Sequence, residues 1–407
     1  MTASLDDTLA VTPPPVAPAT ATHALARLGL LRELDSPRQV FANITPNWFA
    51  AVMGTCIVGV AAAGLPVQFT GLRTLGTVGW AAAAVLLVAL TAATVAHWVT
   101  HPARARSHHL DPVMAHFYGV PPMALLTVGA GSLLLGKDVL GLRVAVDVDW
   151  VLWFAGTVLG LAAAAVVPYL QFTRHDGVTA RSAFGGWLMP VVPPMVSAST
   201  GALLIPHAPA GQARLTLLMA CYAMFGLALI ASLVVITLIW HRLAVHGVDE
   251  PRMVPTLWIV LGPLGQSVTA ANLLGGVAAQ ALPRPYSTAL QAFGVVYGVP
   301  VWGFALLWAG VAGAVTVRTA RAGMPFSLTW WSFTFPVGTC VTATSGLALH
   351  TGADLFRYGA VVVFAGLVLA WVTVATRTAR GSLRGTLLLP PGCAPTPTTV
   401  RGTRHGA

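Results

Sequence analysis

The sequence predicts an all-α integral membrane protein whose ten transmembrane helices form five repeated helical hairpins around a central axis. Three observations lead there: a composition almost free of charge, ten long apolar windows, and prolines that recur in alternate windows at a nearly constant step.

Of the 407 residues, 56% are hydrophobic and 8% charged, whereas a soluble domain is charged at about a quarter of its positions. One helical crossing of the hydrocarbon needs roughly 20 apolar residues. Windows of that length fall near 47–65, 77–99, 113–136, 149–170, 186–205, 215–240, 254–280, 291–317, 328–349 and 355–376. Together they make one transmembrane domain over 41–378. A Pro- and Thr-rich tail at 1–22 is expected to be disordered, and the first 45 residues lack the basic start and adjoining apolar core of a cleavable signal. Over 23–40 the chain reads as an interfacial segment, with Leu25, Leu28, Leu31 and Leu34 at helical spacing. A second Pro- and Thr-rich tail occupies 379–407.

A net charge of +10 does not point to nucleic acid, because the basic residues are not gathered on a soluble face. They sit between the windows. With both termini inside, sixteen arginines from Arg27 to Arg404 lie in cytoplasmic segments, while only Arg73, Lys137, Arg143, Arg214, Arg284 and Arg357 lie outside. This is the positive-inside asymmetry, and it predicts a multi-pass plasma-membrane protein with both termini cytoplasmic. The cysteines, Cys56, Cys221, Cys340 and Cys393, form no C-x-x-C spacing. Neither a disulfide, a zinc site nor any cofactor is indicated.

Even-numbered windows are bland; odd-numbered ones carry Pro121 with Pro122, Pro193 with Pro194, Pro263, and Pro336. The steps between them, 72, 70 and 73 residues, mark a repeated helical hairpin. His116, Trp258 and Trp331 each stand five before a proline, and Trp187 stands six before Pro193. One further step back reaches Met53, with Trp48 five earlier, so the first window is a copy without its proline.

Within a helix, proline removes a backbone hydrogen bond and frees the carbonyl four residues back, Ser332 in the case of Pro336. Lipid cannot satisfy such a group. The proline-bearing helices are therefore expected to face inward, kinked at Pro121, Pro193, Pro263 and Pro336, with the bland helices screening them. Polar residues three and four positions after the kinks, Cys56, Ser197, Gln266, Ser267 and Thr339, give with Thr55 an expected pore lining, with Asn272 and Thr342 further along and Thr127 later in the third window. The alternative, hydroxyls bonded to their own or a neighbouring helix, stays open.

Charge is absent from the middle of every window, and His97, His116 and His350 lie near window ends. Coupled carriers usually keep an intramembrane Asp, Glu or His chain, so passive movement is favoured over proton coupling. An intramembrane enzyme would need a nucleophile with its base or a metal set, and the chain holds no H-E-x-x-H or G-x-S-x-G. Arginine excess at one mouth raises local anion concentration. The residues just before the kinks are Val52, Val120, Val192, Gly262 and Phe335. One aromatic ring among small neighbours can plug a pore by sterics and dewetting, or it can be core packing beside Trp330 and Trp331.

ITPNWFAAVMGTCIV at 44–58 and FSLTWWSFTFPVGT at 326–339 resemble the tellurite-resistance/dicarboxylate transporter family, which includes slow-type anion channels, malic acid carriers and sulfite exporters. The resemblance extends in topology over about 40–378. It implies ten helices as five hairpins around a central pore, a homotrimer with one pore per subunit, and a gating phenylalanine in the ninth helix. Phe335, in the TFP triplet, matches that gate; Phe333 is the second candidate. The implied partners are the lipid bilayer and small anions: C4-dicarboxylates such as malate, sulfite, tellurite, or other inorganic anions.

Overall fold

The computed structural model describes residues 31, 33–34, 37–248 and 250–389. The tail at 1–22, the leucines Leu25 and Leu28, and residues 390–407 lie outside the described residues. Ten principal helices organise the remainder, and no strand occurs among the described residues. They are α1 (Ala50–Ala63), α2 (Leu72–Thr100), α3 (Val120–Gly131), α4 (Leu142–Thr173), α5 (Pro193–Leu204), α6 (Gln212–His246), α7 (Leu261–Val277), α8 (Tyr286–Arg321), α9 (Phe335–Thr351) and α10 (Asp354–Arg384).

Eight helices, counted with their lead-in turns, are long and apolar enough to cross a membrane. The two expected windows outside that set are interrupted. Over 186–205 a 3-10 turn and four non-helical residues, 189–192, precede the 12-residue α5, and over 328–349 a 3-10 segment precedes the 17-residue α9. Burial divides the spans as the proline pattern does. Those containing α1, α3 and α7 are 78% to 89% buried across their apolar windows, while α2, α4, α6, α8 and α10 are only 17% to 33% buried.

Inner helices pack in the order α1, α3, α5, α7, α9, and α9 packs back on α1, closing a ring. Each is backed by the helix that succeeds it in the chain, from α2 behind α1 to α10 behind α9. The outer helices also reach the next inner helix, and α10 reaches α1. A side-chain bond ties this last contact: Trp371 Nε1 of α10 donates to Thr55 Oγ1 of α1 at 3.1 Å. Gly54 makes the close approach of α1 to α9 possible, since a Cβ there would strike the Trp331 ring and Thr334 Oγ1.

The prolines act differently from the expected mid-helix kinks. Pro121, Pro193 and Pro336 stand at the first or second position of α3, α5 and α9, each preceded by a 3-10 segment, and Pro263 stands in the first turn of α7. At those positions the missing N–H has no intrahelical partner to lose and φ is already helical. Each inner span is thus a tight 3-10 entry followed by an α-helix, with proline in the first turn of α3, α5, α7 and α9 and none at the start of α1; intervening non-helical residues occur only before α5 and α9.

At the C-terminal end, α10 continues to Arg384, past residue 379 where the tail was expected to begin. Leu388 packs with Leu34, Ile44 and Trp48, and Asn43 Nδ2 donates to Leu388 O at 2.8 Å. This small apolar cluster fixes a stretch that composition alone reads as tail.

Two glycines test the packing. A Cβ on Gly119 would overlap the Met189 carbonyl, whereas one on the buried Gly262 would meet nothing within 4 Å. Gly119→Ala is expected to lose about 1–3 kcal/mol, the usual cost of overpacking, and Gly262→Ala to leave the melting temperature of the detergent-solubilised protein unchanged.

Candidate functional site: a neutral vestibule above Phe335

The five inner helices enclose a cavity of about 670 Å³, open at the end of the ring that carries Arg357 and His350. α3, α5, α7 and α9 contribute faces with the same phase, and α1 one shifted by a residue. Its walls are Ile57 and Val60 on α1, Thr127 and Ala130 on α3, Val196 and Ser199 on α5, Gln266 and Thr269 on α7, and Thr342 and Ser345 on α9. Counted from the helix-starting prolines, Thr127, Ser199, Thr269 and Thr342 are all six residues on. A spacing of three, six and ten residues tracks one side of an α-helix, so the four hydroxyls form one level of the wall. On α1 the lining phase falls one residue later than Met53 predicts, and Val60 stands at the hydroxyl level.

Of the residues expected to line the pore, the cavity receives Thr127, Gln266, Asn272 and Thr342. The others turn into helix contacts. Thr55 accepts from Trp371, Cys56 Sγ lies 3.3 Å from Thr127 O, and Ser197 Oγ accepts from Thr157 Oγ1 at 3.0 Å. Ser267 accepts from the Tyr297 hydroxyl at 2.8 Å, and Thr339 donates to Pro336 O at 2.7 Å. Position four after the proline faces the neighbouring helix; position six faces the axis. Ser199, Thr269 and Ser345 were the residues missed, and the recurrence of a hydroxyl at the sixth position was the signal that could have found Ser199 and Thr269.

Hydrogen bonding leaves the wall without net charge. Thr127 donates to Met123 O at 2.6 Å and Ser199 to Val196 O at 2.9 Å, while the Thr269 and Thr342 hydroxyls bond each other at 2.8 Å, so that one of them donates to the other and only one can donate to its own helix. Gln266 donates one amide N–H to Ser199 Oγ, and a primary amide carries two. Asn272 Oδ1 and Ser345 Oγ are buried on the lining with no protein partner. No carboxylate lines the cavity among the described residues.

Phe335, 3% exposed, is the floor. Below it lies a void of about 20 Å³ lined by Met53, Met123, Val192, Gly262, Pro263 and Pro336, and Phe335 borders this void as well. One water needs roughly 10–15 Å³, so the space beneath the ring holds about one solvent molecule. Val52, Val120 and Val192, the small neighbours at this level, are buried. Phe333 lies elsewhere: it packs edge-on against Trp258 and Trp330 on the outside of the ring.

α4 carries two acidic side chains, the exposed Asp147 and the buried Asp149, and the second departs from the expectation of charge-free spans. α4 begins at Leu142 rather than near 149, which puts Asp149 about 10 Å inside the helix at 1.5 Å per residue. It is fully buried against Gly129 of α3, and neither carboxylate oxygen has a hydrogen-bond partner.

A closed ring of membrane helices around a neutral, hydroxyl-faced cavity defines a membrane transport protein. Residues 43–379 match the voltage-dependent anion channel family, SLAC1, and the chain belongs to it. It is 27% identical to the sulfite efflux pump SSU1 of Trichophyton rubrum over 77% of this chain and 84% of that protein. Similarity to an uncharacterized transporter of Methanocaldococcus jannaschii is 25% over 84% and 93% of the two chains. The malic acid transport protein of Schizosaccharomyces pombe is 21% identical over 86% and 81%. The resemblance noted from the two motifs is thereby confirmed, and the chain is an anion transporter of this family.

Single cysteines in a cysteine-free background test the lining. Cysteines at Ser199, Thr269 and Thr342 are expected to react with a small charged thiol reagent, and cysteines at Ser197, Ser267 and Thr339 to stay unmodified. Equal reactivity in both sets would refute the assigned helix faces.

Proposed function

We propose that this protein conducts small anions passively through the central pore, and that the Phe335 ring is its gate. The observation that carries the reading is that Phe335 borders both the vestibule and the small void beneath it. Removing the ring would join them. Among candidate anions, sulfite and C4-dicarboxylates such as malate are suggested by the named relatives, and tellurite or other inorganic anions suit the same neutral wall. Arg357 and His350 at the mouth favour entry of negative solutes.

In this reading α5 and α9 count as full spans once their 3-10 entries are included, giving ten spans in five hairpins. The arginine asymmetry argues for both termini in the cytoplasm and the vestibule outside. The multi-pass chain sits in the plasma membrane as a homotrimer with one pore per subunit.

Phe335→Ala is expected to raise anion flux in proteoliposomes, because the ring is lost while the helices keep their packing. Were Phe335 a packing residue alone, the same change would cost about 3–5 kcal/mol and leave flux at or below wild type. A folded, stable Phe335→Ala protein with wild-type flux would refute the gate.

Asp149 favours a second reading, proton-coupled transport, since buried carboxyls inside membrane bundles commonly serve as proton carriers. Initial rates measured at clamped voltage, with and without a pH gradient, separate the two. Passive conduction predicts the same rate in both conditions and in Asp149→Asn. Coupling predicts a gradient-dependent rate that Asp149→Asn abolishes.

A further inference from the structure

On the outside of the ring, a cleft of about 490 Å³ enters between the outer helices α8 and α10 and reaches the backs of α7 and α9. Its floor includes Gly265 and Cys340, and Ala305 and Ala309 of α8 form one wall. No charged side chain lines it. The polar groups at its edge are already engaged: Trp258 Nε1 donates to Thr316 Oγ1 at 2.9 Å and Trp302 Nε1 to Thr344 Oγ1 at 3.0 Å. The cleft presents hydrocarbon, too apolar for an anion and suited to a chain of methylenes.

The opposite wall is Val363, Gly366 and Ala370 of α10. That spacing tracks one helical face, and seven residues further along the same face stands Arg377. Its guanidinium lies 4.7 Å from the centre of the Trp330 ring and 6.0 Å from that of Phe326, a cation–π arrangement that holds the charge in place. Trp330 itself lines the cleft. Arg377 is exposed and has no carboxylate partner among the described residues, which leaves its fork of N–H donors free for a phosphate.

We propose that this cleft binds one anionic phospholipid, with an acyl chain between α8 and α10 and the phosphate on Arg377. An apolar slot with a fixed cation at one end matches the amphipathic division of a lipid and the charge of its headgroup. A second copy of the chain fits less well, because Arg318 and Arg321 border the neighbouring surface of α8. A symmetric contact there gathers like charges. Binding at this site does not depend on how the central pore conducts.

The test reads lipid retention by native mass spectrometry after mild detergent extraction from vesicles of mixed phosphatidylcholine and phosphatidylglycerol. Wild type is expected to keep one phosphatidylglycerol per chain in preference to phosphatidylcholine. Arg377→Ala should lower retention about tenfold, as loss of a charge-assisted hydrogen bond would. Gly366→Leu should also abolish it: a Cβ at Gly366 meets nothing within 4 Å, so the larger side chain fills the cleft without displacing protein. Arg181→Ala, on a distant connection, should retain the lipid, and circular dichroism confirms that each variant is folded. Equal retention of both lipids, or wild-type retention in Arg377→Ala and Gly366→Leu, would overturn the site. Cross-linking of Gly366→Cys between two copies by a short bismaleimide would also overturn it, by showing that protein covers the cleft.

Discussion

Everything in this molecule depends on where a backbone can be broken inside a membrane. An N–H or C=O without a partner costs several kcal/mol in hydrocarbon, so a helix that changes from 3-10 to α at mid-depth needs protein on every side. The chain meets that demand with a closed ring of inner helices and a second ring of unbroken ones behind them. Of the residues just before the prolines, Val192, Gly262 and Phe335 line the small void beneath the vestibule, together with Met53 and Met123, while Val52 and Val120 are buried. Phe335 borders both spaces.

Above Phe335, the chemistry of the wall comes from its hydroxyls. Thr127 and Ser199 spend their protons on carbonyls of their own helices, while Thr269 and Thr342 share a hydroxyl–hydroxyl bond across the seam between α7 and α9. The wall between the mouth, where Arg357 stands, and Phe335 is polar enough to hold water, yet no charged side chain lines that stretch. Binding that is weak at many equivalent sites suits passage better than binding that is strong at one.

Much of this was legible in the sequence. The proline step of 70 to 73 residues reveals the repeat, and the single aromatic beside the prolines singles out Phe335 ahead of Phe333, which the structure puts outside the ring. Two matters were not legible. Proline in an apolar window reads as a kink in a continuous helix, whereas Pro121, Pro193 and Pro336 begin new helices, and only the position of the break sets the rotation of the helix beyond it. A step of two positions turns a side chain by about 200°, enough to send Ser197 and Ser267 into helix contacts and bring Ser199 and Thr269 to the axis, while Thr342 lines the cavity as expected. Asp149 is hidden in the sequence because α4 starts a full window-edge earlier than its hydropathy suggests.

The bond from Trp371 to Thr55 joins residues 316 positions apart in the chain, and it bears on how such a ring is made. Hairpins are local structures and can form as each leaves the ribosome, but contacts between distant segments must wait for loop closure. Until α9 and α10 are synthesised, α1 to α8 form an open arc, and Gly54 lacks the Trp331 ring and Thr334 hydroxyl it packs against. The pair α9 and α10 is therefore a keystone as well as a wall: it packs back on the helix that opens the ring, and a chain cut short before Phe335 has helices but no enclosed interior.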